Sequence, residues 1–227
     1  MVIWTGGEPM VRTDLPDLIR HATARGIRSV LAPCGLLVTE ERLLELKEAG
    51  MMACSFSIDG PDKETHDTFR GVDGAWDAVM SAMSATRAVG MPFQVNTVVR
   101  RGTLKTLDMI YAKAMEKGAT RLDLFFLVPT GRGRLIDSQV PDEAETEAVI
   151  AWSEGKRTKL TCCPQAGTCI GGRGFAFLSH TGDLQTCGFV SVPCGNIRDH
   201  NLDFGRLISA AVNPLGRSGN CRKRHDR

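Results

Sequence analysis

Long apolar runs are what this sequence most plainly lacks. No stretch approaches the ~20 consecutive apolar residues that a helix needs to cross a bilayer. The opening residues MVIWTGGEP do not follow the charged, then apolar, then small order of a secretion signal. Charge of one sign is not in excess either: 28 Lys and Arg stand against 26 Asp and Glu, a formal net charge of +2. Nothing in that balance calls for a nucleic-acid partner. These absences together predict a cytoplasmic protein that engages neither membrane nor nucleic acid. With 42% hydrophobic and 24% charged residues, the 227-residue chain has an ordinary globular composition and length for one core plus a small appendage.

In a chain without an export signal, eight cysteines argue for metal binding rather than a disulfide framework, because cytosolic thiols are kept reduced. Cys34 and Cys54 stand alone and read as small buried hydrophobes. Cys162, Cys163, Cys169, Cys187, Cys194 and Cys221 crowd the last third. Between Cys169 and Cys187, apolar residues alternate around Thr181-Gly182-Asp183, which predicts a β-hairpin bringing two thiolates together. Zinc and an iron–sulfur cluster both accept such thiolates. Adjacent Cys162 and Cys163 cannot comfortably ligate one metal, so at most one of them is expected to contribute.

The first 130 or so residues alternate short β-branched runs with longer amphipathic stretches, the rhythm of β/α units on a parallel sheet. Strands are expected at Val2–Thr5, Arg28–Ala32, Ala53–Ile58, Phe93–Val99 and Arg121–Leu127. Helices are expected at Leu15–Arg25, Glu40–Ala49, Ala75–Val89 and Leu104–Lys117, with Gly26, Gly50, Gly90 and Gly118 closing the units. An acidic helical segment from Pro141 to about Glu154 leads to a Gly- and Cys-rich tail, so the expected domains are 1–155 and 156–227. The chain enters directly on a strand, which reads as a missing first β/α unit. Gly131-Arg132-Gly133-Arg134 lacks the Lys-Ser/Thr ending of a phosphate loop and is not one.

Thr5-Gly6-Gly7-Glu8-Pro9 follows a strand and precedes a helix, where the C-terminal end of a parallel strand opens onto a functional face. The glycines let backbone approach a ligand closely, and the Glu8 carboxylate with the turn's polar groups suits an ammonium group. A plain tight turn is the competing reading. Here the sequence resembles the radical S-adenosylmethionine (SAM) superfamily, in which a Gly-Gly-Glu-Pro turn holds the amino group of SAM. Ser55-Phe56-Ser57-Ile58-Asp59-Gly60 and His66-Asp67-Thr68-Phe69-Arg70-Gly71 resemble the family's fourth-strand region, which faces the carboxylate and ribose of SAM. The resemblance thereby puts forward Ser57, Asp59 and Arg70 as contacts, Asn96 on the next strand, and Val128 near the adenine. An arginine fork holding a carboxylate is the physical case for Arg70. A surface arginine, a turn at Asp59-Gly60 and a local cap at His66 are the plain alternatives.

The spacing C-x12-G-x4-C from Cys169 to Cys187 resembles the opening of the SPASM extension, whose thiolates hold auxiliary clusters. On this resemblance Cys162, Cys169, Cys187, Cys194 and Cys221 are the metal-ligand candidates. The implied fold is a partial (β/α)6-type barrel lacking its first β/α unit, followed by a small Cys-rich β-hairpin extension. Two departures matter: no CxxxCxxC triplet occurs, and the second SPASM ligand set is absent. A chain truncated at both ends, and inactive alone, is the expectation they raise.

Phe125–Gly133, Gly174–Gly182 and Gln185–Phe189 resemble the tetrapyrrole-modifying branch of alternative haem and haem d1 biosynthesis. The implied cofactors are SAM and a [4Fe–4S] cluster. The implied chemistry is reductive SAM cleavage to a 5′-deoxyadenosyl radical, then removal of a carboxyl or acetate group from a tetrapyrrole. A flavodoxin or ferredoxin would donate the electron. Arg132 and Arg134 would suit a carboxylate-bearing substrate, unless they are solvated loop charges. A radical SAM peptide or sulfatase maturase is the rival enzyme reading, and a noncatalytic fragment or zinc-binding interaction module the rival of another class.

Overall fold

The computed structural model describes residues 1–162, 175–189 and 193–210. The chain divides into two compact units, one of residues 1–127 and 139–161, the other of residues 128–138 and those from 162 onward.

Six strands in chain order build the first unit's sheet: β1 (Val2–Trp4), β2 (Ser29–Leu31), β3 (Met51–Ser57), β4 (Phe93–Val99), β5 (Leu122–Phe126) and β6 (Thr158–Thr161). Every neighbouring pair is parallel. Such pairing requires a crossover between strands, and helices supply most of them. They are α1 (Leu15–Thr23), α2 (Glu40–Glu48), α3 (Lys63–Arg70), α4 (Ala75–Ala88), α5 (Leu107–Lys117) and α6 (Glu143–Ser153).

Local chemistry fixes these elements. Leu15, Ile19 and Ala22 recur at helical spacing and are the buried stripe of α1. Thr39 accepts the Arg42 N–H to start α2, whose first turn carries Glu40 and Glu41. Along β4, Phe93, Val95, Thr97 and Val99 are buried while Gln94, Asn96 and Val98 stay partly exposed. The sheet therefore has an apolar face and a polar open face. The apolar face carries Phe56 and Phe93, whose rings meet edge to face at 5.7 Å.

Two elements of the first unit were not expected. No helix is expected between Ala49 and Ala75, yet Lys63–Arg70 is α3; its buried residues are His66 and Asp67, so no apolar stripe announces it. Thr158–Thr161 was not read as a strand, yet it pairs with β5 as the sheet's last strand. Its single large apolar residue, Leu160, gives no alternation to read.

The second unit contains a three-stranded antiparallel sheet in the order β7 (Phe177–Leu178), β8 (Asp183–Gln185) and β9 (Pro193–Asn196), followed by α7 (Phe204–Ala210). The expected hairpin is β7 and β8. Gly182 turns it at φ +89°, a conformation side chains rarely adopt. Thr181 and Asn196 hydrogen-bond the Asp183 carboxylate at 2.6 and 2.8 Å and hold its pKa below the usual range. Cys169 and Cys221 lie outside the described residues. Cys194 sits on β9 with its thiol beside Thr186, the residue before Cys187, and burial pushes that thiol's pKa up.

Candidate functional site

After β1 the chain passes through Thr5, Gly6 and Gly7, all exposed. Gly6 takes φ +133°, and a Cβ there would meet nothing within 4 Å, so conformation rather than crowding calls for glycine. Pro9 then opens a short 3-10 turn, Pro9–Val11. Glu8 caps that turn: its Oε1 accepts the Met10 N–H at 2.8 Å. Its Oε2 accepts the Cys34 N–H at 2.6 Å, from the loop that follows β2. One carboxylate thus ties two adjacent strand exits together with its orientation fixed. Each oxygen has a second lone pair, which an incoming ammonium group can use.

Ser57, the last residue of β3, lies opposite Asn96, in the middle of β4. Neither is fully buried, and the Ser57 hydroxyl has no protein hydrogen bond among the described residues. The Asn96 carbonyl accepts the Ile58 N–H at 2.9 Å, and its side-chain amide donates to Ser55 Oγ at 2.8 Å.

Asp59 and Arg70 serve one another. The Asp59 side chain is 1% exposed; its Oδ1 accepts the Val98 N–H at 2.7 Å and its Oδ2 lies 2.6 Å from Arg70 Nη2. The Arg70 contact is an ion pair in distance, without the alignment of a hydrogen bond. Asp59 N–H donates to His66 Nδ1 at 3.1 Å, and the His66 ring meets Trp76 edge-on at 5.7 Å. Burial, then the Arg70 charge, pushes the His66 pKa down. Gly60 completes the bracket, since a Cβ there would stand 2.6 Å from the His66 backbone nitrogen. Asp59 is therefore an internal clamp from the β3 loop to β4, and one arm of the Arg70 fork is engaged on it.

Val128 belongs to the second unit, where its carbonyl accepts the Thr130 N–H at 2.8 Å. Arg132 and Arg134 are exposed there. Cys34 is exposed, contrary to the expectation of a buried hydrophobe, because it sits on the loop that meets Glu8; desolvation and that carboxylate push its thiol pKa up. Cys54 is buried as expected, and burial pushes its pKa up to about 12, the mark of an inert thiol. Among the described residues no three His, Cys, Asp or Glu side chains are grouped to hold a metal.

A polar row on the open face escaped the sequence reading. Arg121 binds Asp123 through Nε and Nη2, and Gln94 links Asp123 to Asn96. A carboxylate inside the apolar run Leu-Asp-Leu-Phe-Phe of β5 is the signal that would have found it.

Parallel strands, a helix-covered apolar face, a polar open face and the anchored Glu8 carboxylate at a strand exit define an α/β ligand-binding scaffold. The sequence profile of the Radical SAM superfamily matches residues 1–118. The AdoMet-dependent heme synthase of Oleidesulfovibrio alaskensis is 38% identical over 88% of this chain and 60% of its own length. That of Methanosarcina barkeri is 36% identical over 97% of this chain and 74% of its own. The crystal structure of Streptococcus suis SuiB bound to precursor peptide SuiA is 13% identical, with a TM-score of 0.67 over 92% of this chain and 53% of that one. The chain belongs to the radical SAM superfamily. It spans about 60% of the length of the first of these relatives.

The family's cofactors are SAM and a [4Fe–4S] cluster. The residues present fit the first: the oriented Glu8 carboxylate suits an ammonium, and Ser57 and Asn96 offer polar groups opposite each other on β3 and β4 of the same sheet. They do not supply the second, since the 227 residues contain no CxxxCxxC triplet.

Proposed function

We propose that this chain grips SAM on behalf of a tetrapyrrole-modifying reaction of haem biosynthesis, the loss of a side-chain carboxyl or acetate group. Two relatives that share over a third of their aligned residues are named heme synthases, which supports the substrate class. The observation that carries the SAM site is the Glu8 carboxylate, anchored through both oxygens by amides of two separate loops.

In this reading Glu8 accepts from the ammonium group of SAM, with Thr5, Gly6, Gly7 and Pro9 shaping the turn around it. Ser57 and Asn96 address the carboxylate and ribose. Asp59 holds the loop that carries Ser57 against β4, and Arg70 steadies Asp59 while its remaining donors face solvent or ligand. Reductive cleavage of SAM is chemistry that the cofactor pair supplies. Without a CxxxCxxC triplet, this polypeptide by itself binds SAM and does not cleave it. Cys162, Cys187 and Cys194, with Cys169 and Cys221, are proposed to hold auxiliary iron–sulfur chemistry, and a flavodoxin or ferredoxin to deliver electrons.

The test is equilibrium dialysis of SAM against the wild-type chain and Glu8→Gln, with an absorbance titration of an iron porphyrin bearing propionates. Wild type binds both. Glu8→Gln weakens SAM by about tenfold or more, the worth of a charge-assisted hydrogen bond, and leaves the porphyrin titration unchanged. Equal SAM affinity in the two proteins would remove Glu8 from the site. A flat porphyrin titration would remove the substrate class.

A further inference from the structure

Charged groups can set the polarity of a chain of neutral amides, because a carboxylate only accepts and a guanidinium only donates. The open face holds such a chain. Arg121 Nη2 donates to Gln94 Oε1 at 2.6 Å, so the other end of that amide, Nε2, points to Asp123 Oδ2 at 3.0 Å. Gln94 Nε2 also reaches Asn96 Oδ1 at 3.1 Å, with a longer approach of 3.3 Å to Ser55 Oγ. With its oxygen taken by a donor, Asn96 turns its Nδ2 outward: one proton goes to Ser55 Oγ at 2.8 Å, and no protein partner takes the other among the described residues.

We propose that Arg121 and Asp123 are positioning residues for the SAM site, fixing Asn96 so that it offers an N–H rather than an oxygen. The inference rests on the SAM reading above and adds a direction to it. Reversing Gln94 would set its oxygen against Asp123 and its NH2 against Arg121, so the ion pair excludes the flipped state. Asp123 is suited to the task because its side chain is 4% exposed, where an unpaired carboxylate is costly and every donor is held. An Asn96 that presents a donor takes an oxygen acceptor of SAM, either a ribose hydroxyl or the carboxylate, and disfavours a donor in its place.

Asp123→Asn removes the fixed acceptor, and the paired variant Arg121→Gln with Asp123→Asn does so without leaving a lone charge. Nitrogen-15 spectra of the ligand-free chain should show one slowly exchanging Asn96 side-chain amide proton in wild type, the one held by Ser55, and fast exchange of both in either variant. Unchanged exchange overturns the positioning role whether or not SAM binds. Dialysis with SAM, decarboxylated SAM and the 2′-deoxy and 3′-deoxy analogues then reads the direction. The variants should weaken SAM about three- to tenfold and leave unchanged the one analogue that lacks the accepting oxygen. The same loss for all four ligands would indicate general loosening and overturn the inference, as would no loss for any. If wild type bound no SAM, the site reading would fall, while the exchange data would still decide the amide polarity.

Discussion

His66 is 2% exposed, and its Nδ1 must stay unprotonated to accept the Asp59 N–H. Burial and then the positive Arg70 push its pKa below the ordinary value, against the opposing pull of Asp59 and Asp67. A lowered histidine pKa means that the unfolded chain takes up the proton first as pH falls. The stability tied to His66 is then complete above about 6.5, the unfolded value, and drains as pH falls from there toward the folded one. The unfolding midpoint of wild type should therefore drop between pH 7.5 and 5.5. In His66→Asn, whose side-chain oxygen can stand where Nδ1 stood, the drop should be shallower; parallel profiles would locate the titration elsewhere. At this scale Glu8 was legible, because a Gly-Gly-Glu-Pro turn carries its chemistry within five residues. The partner of Arg70 was not: Asp59 lies eleven positions back, and only folding of the polar α3 closes that pair.

Helix α6 shows how elements announce themselves. The acidic segment from Pro141 was expected to be helical, and a capping box starts it: the Asp142 carboxylate accepts the Glu145 N–H at 2.9 Å while the Glu145 carboxylate accepts the Asp142 N–H at 3.2 Å. Glu145 also accepts the Gly102 N–H at 3.1 Å and so fastens the helix start to the loop after β4. Asp142→Ala should cost about 1 kcal/mol in denaturant unfolding, chiefly through the lost cap, because the exposed ion pair with Arg101 at 3.7 Å contributes little. Arg101→Ala is the control; a loss equal to that of Asp142→Ala would mean that the ion pair, not the cap, is what counts. Elements with an apolar period or a dense acidic first turn were legible in this way. Strand β6 and helix α3, the latter in spite of its Asp62 and Gly71 caps, were not, because their stability comes from tertiary neighbours rather than from an apolar pattern of their own.

Across the first unit, strand order followed from the β/α rhythm, since right-handed crossovers leave few topologies for alternating elements. What the sequence hid was registration between strands, and with it the polar row from Arg121 to Asn96, whose members come from β4 and the start of β5 and meet Ser55 on β3. The outcome is one sheet with divided labour, apolar packing on one face and ligand chemistry on the other, which adjacent residues of β3 can separate. Phe56 is 0% exposed and packs on Phe93, so Phe56→Ala should cost about 3–5 kcal/mol of stability through transfer and cavity terms. SAM affinity, measured where that variant is still folded, should stay near wild type. Ser57, one position on, points to the open face without a protein partner among the described residues; Ser57→Ala should hold stability to within about 0.5 kcal/mol. The same change should weaken SAM about three- to tenfold, the value of one lost hydrogen bond. Urea unfolding paired with SAM dialysis on both variants decides the matter. If Ser57→Ala lost stability without losing SAM, or Phe56→Ala lost SAM while folded, the two faces would not divide packing from binding.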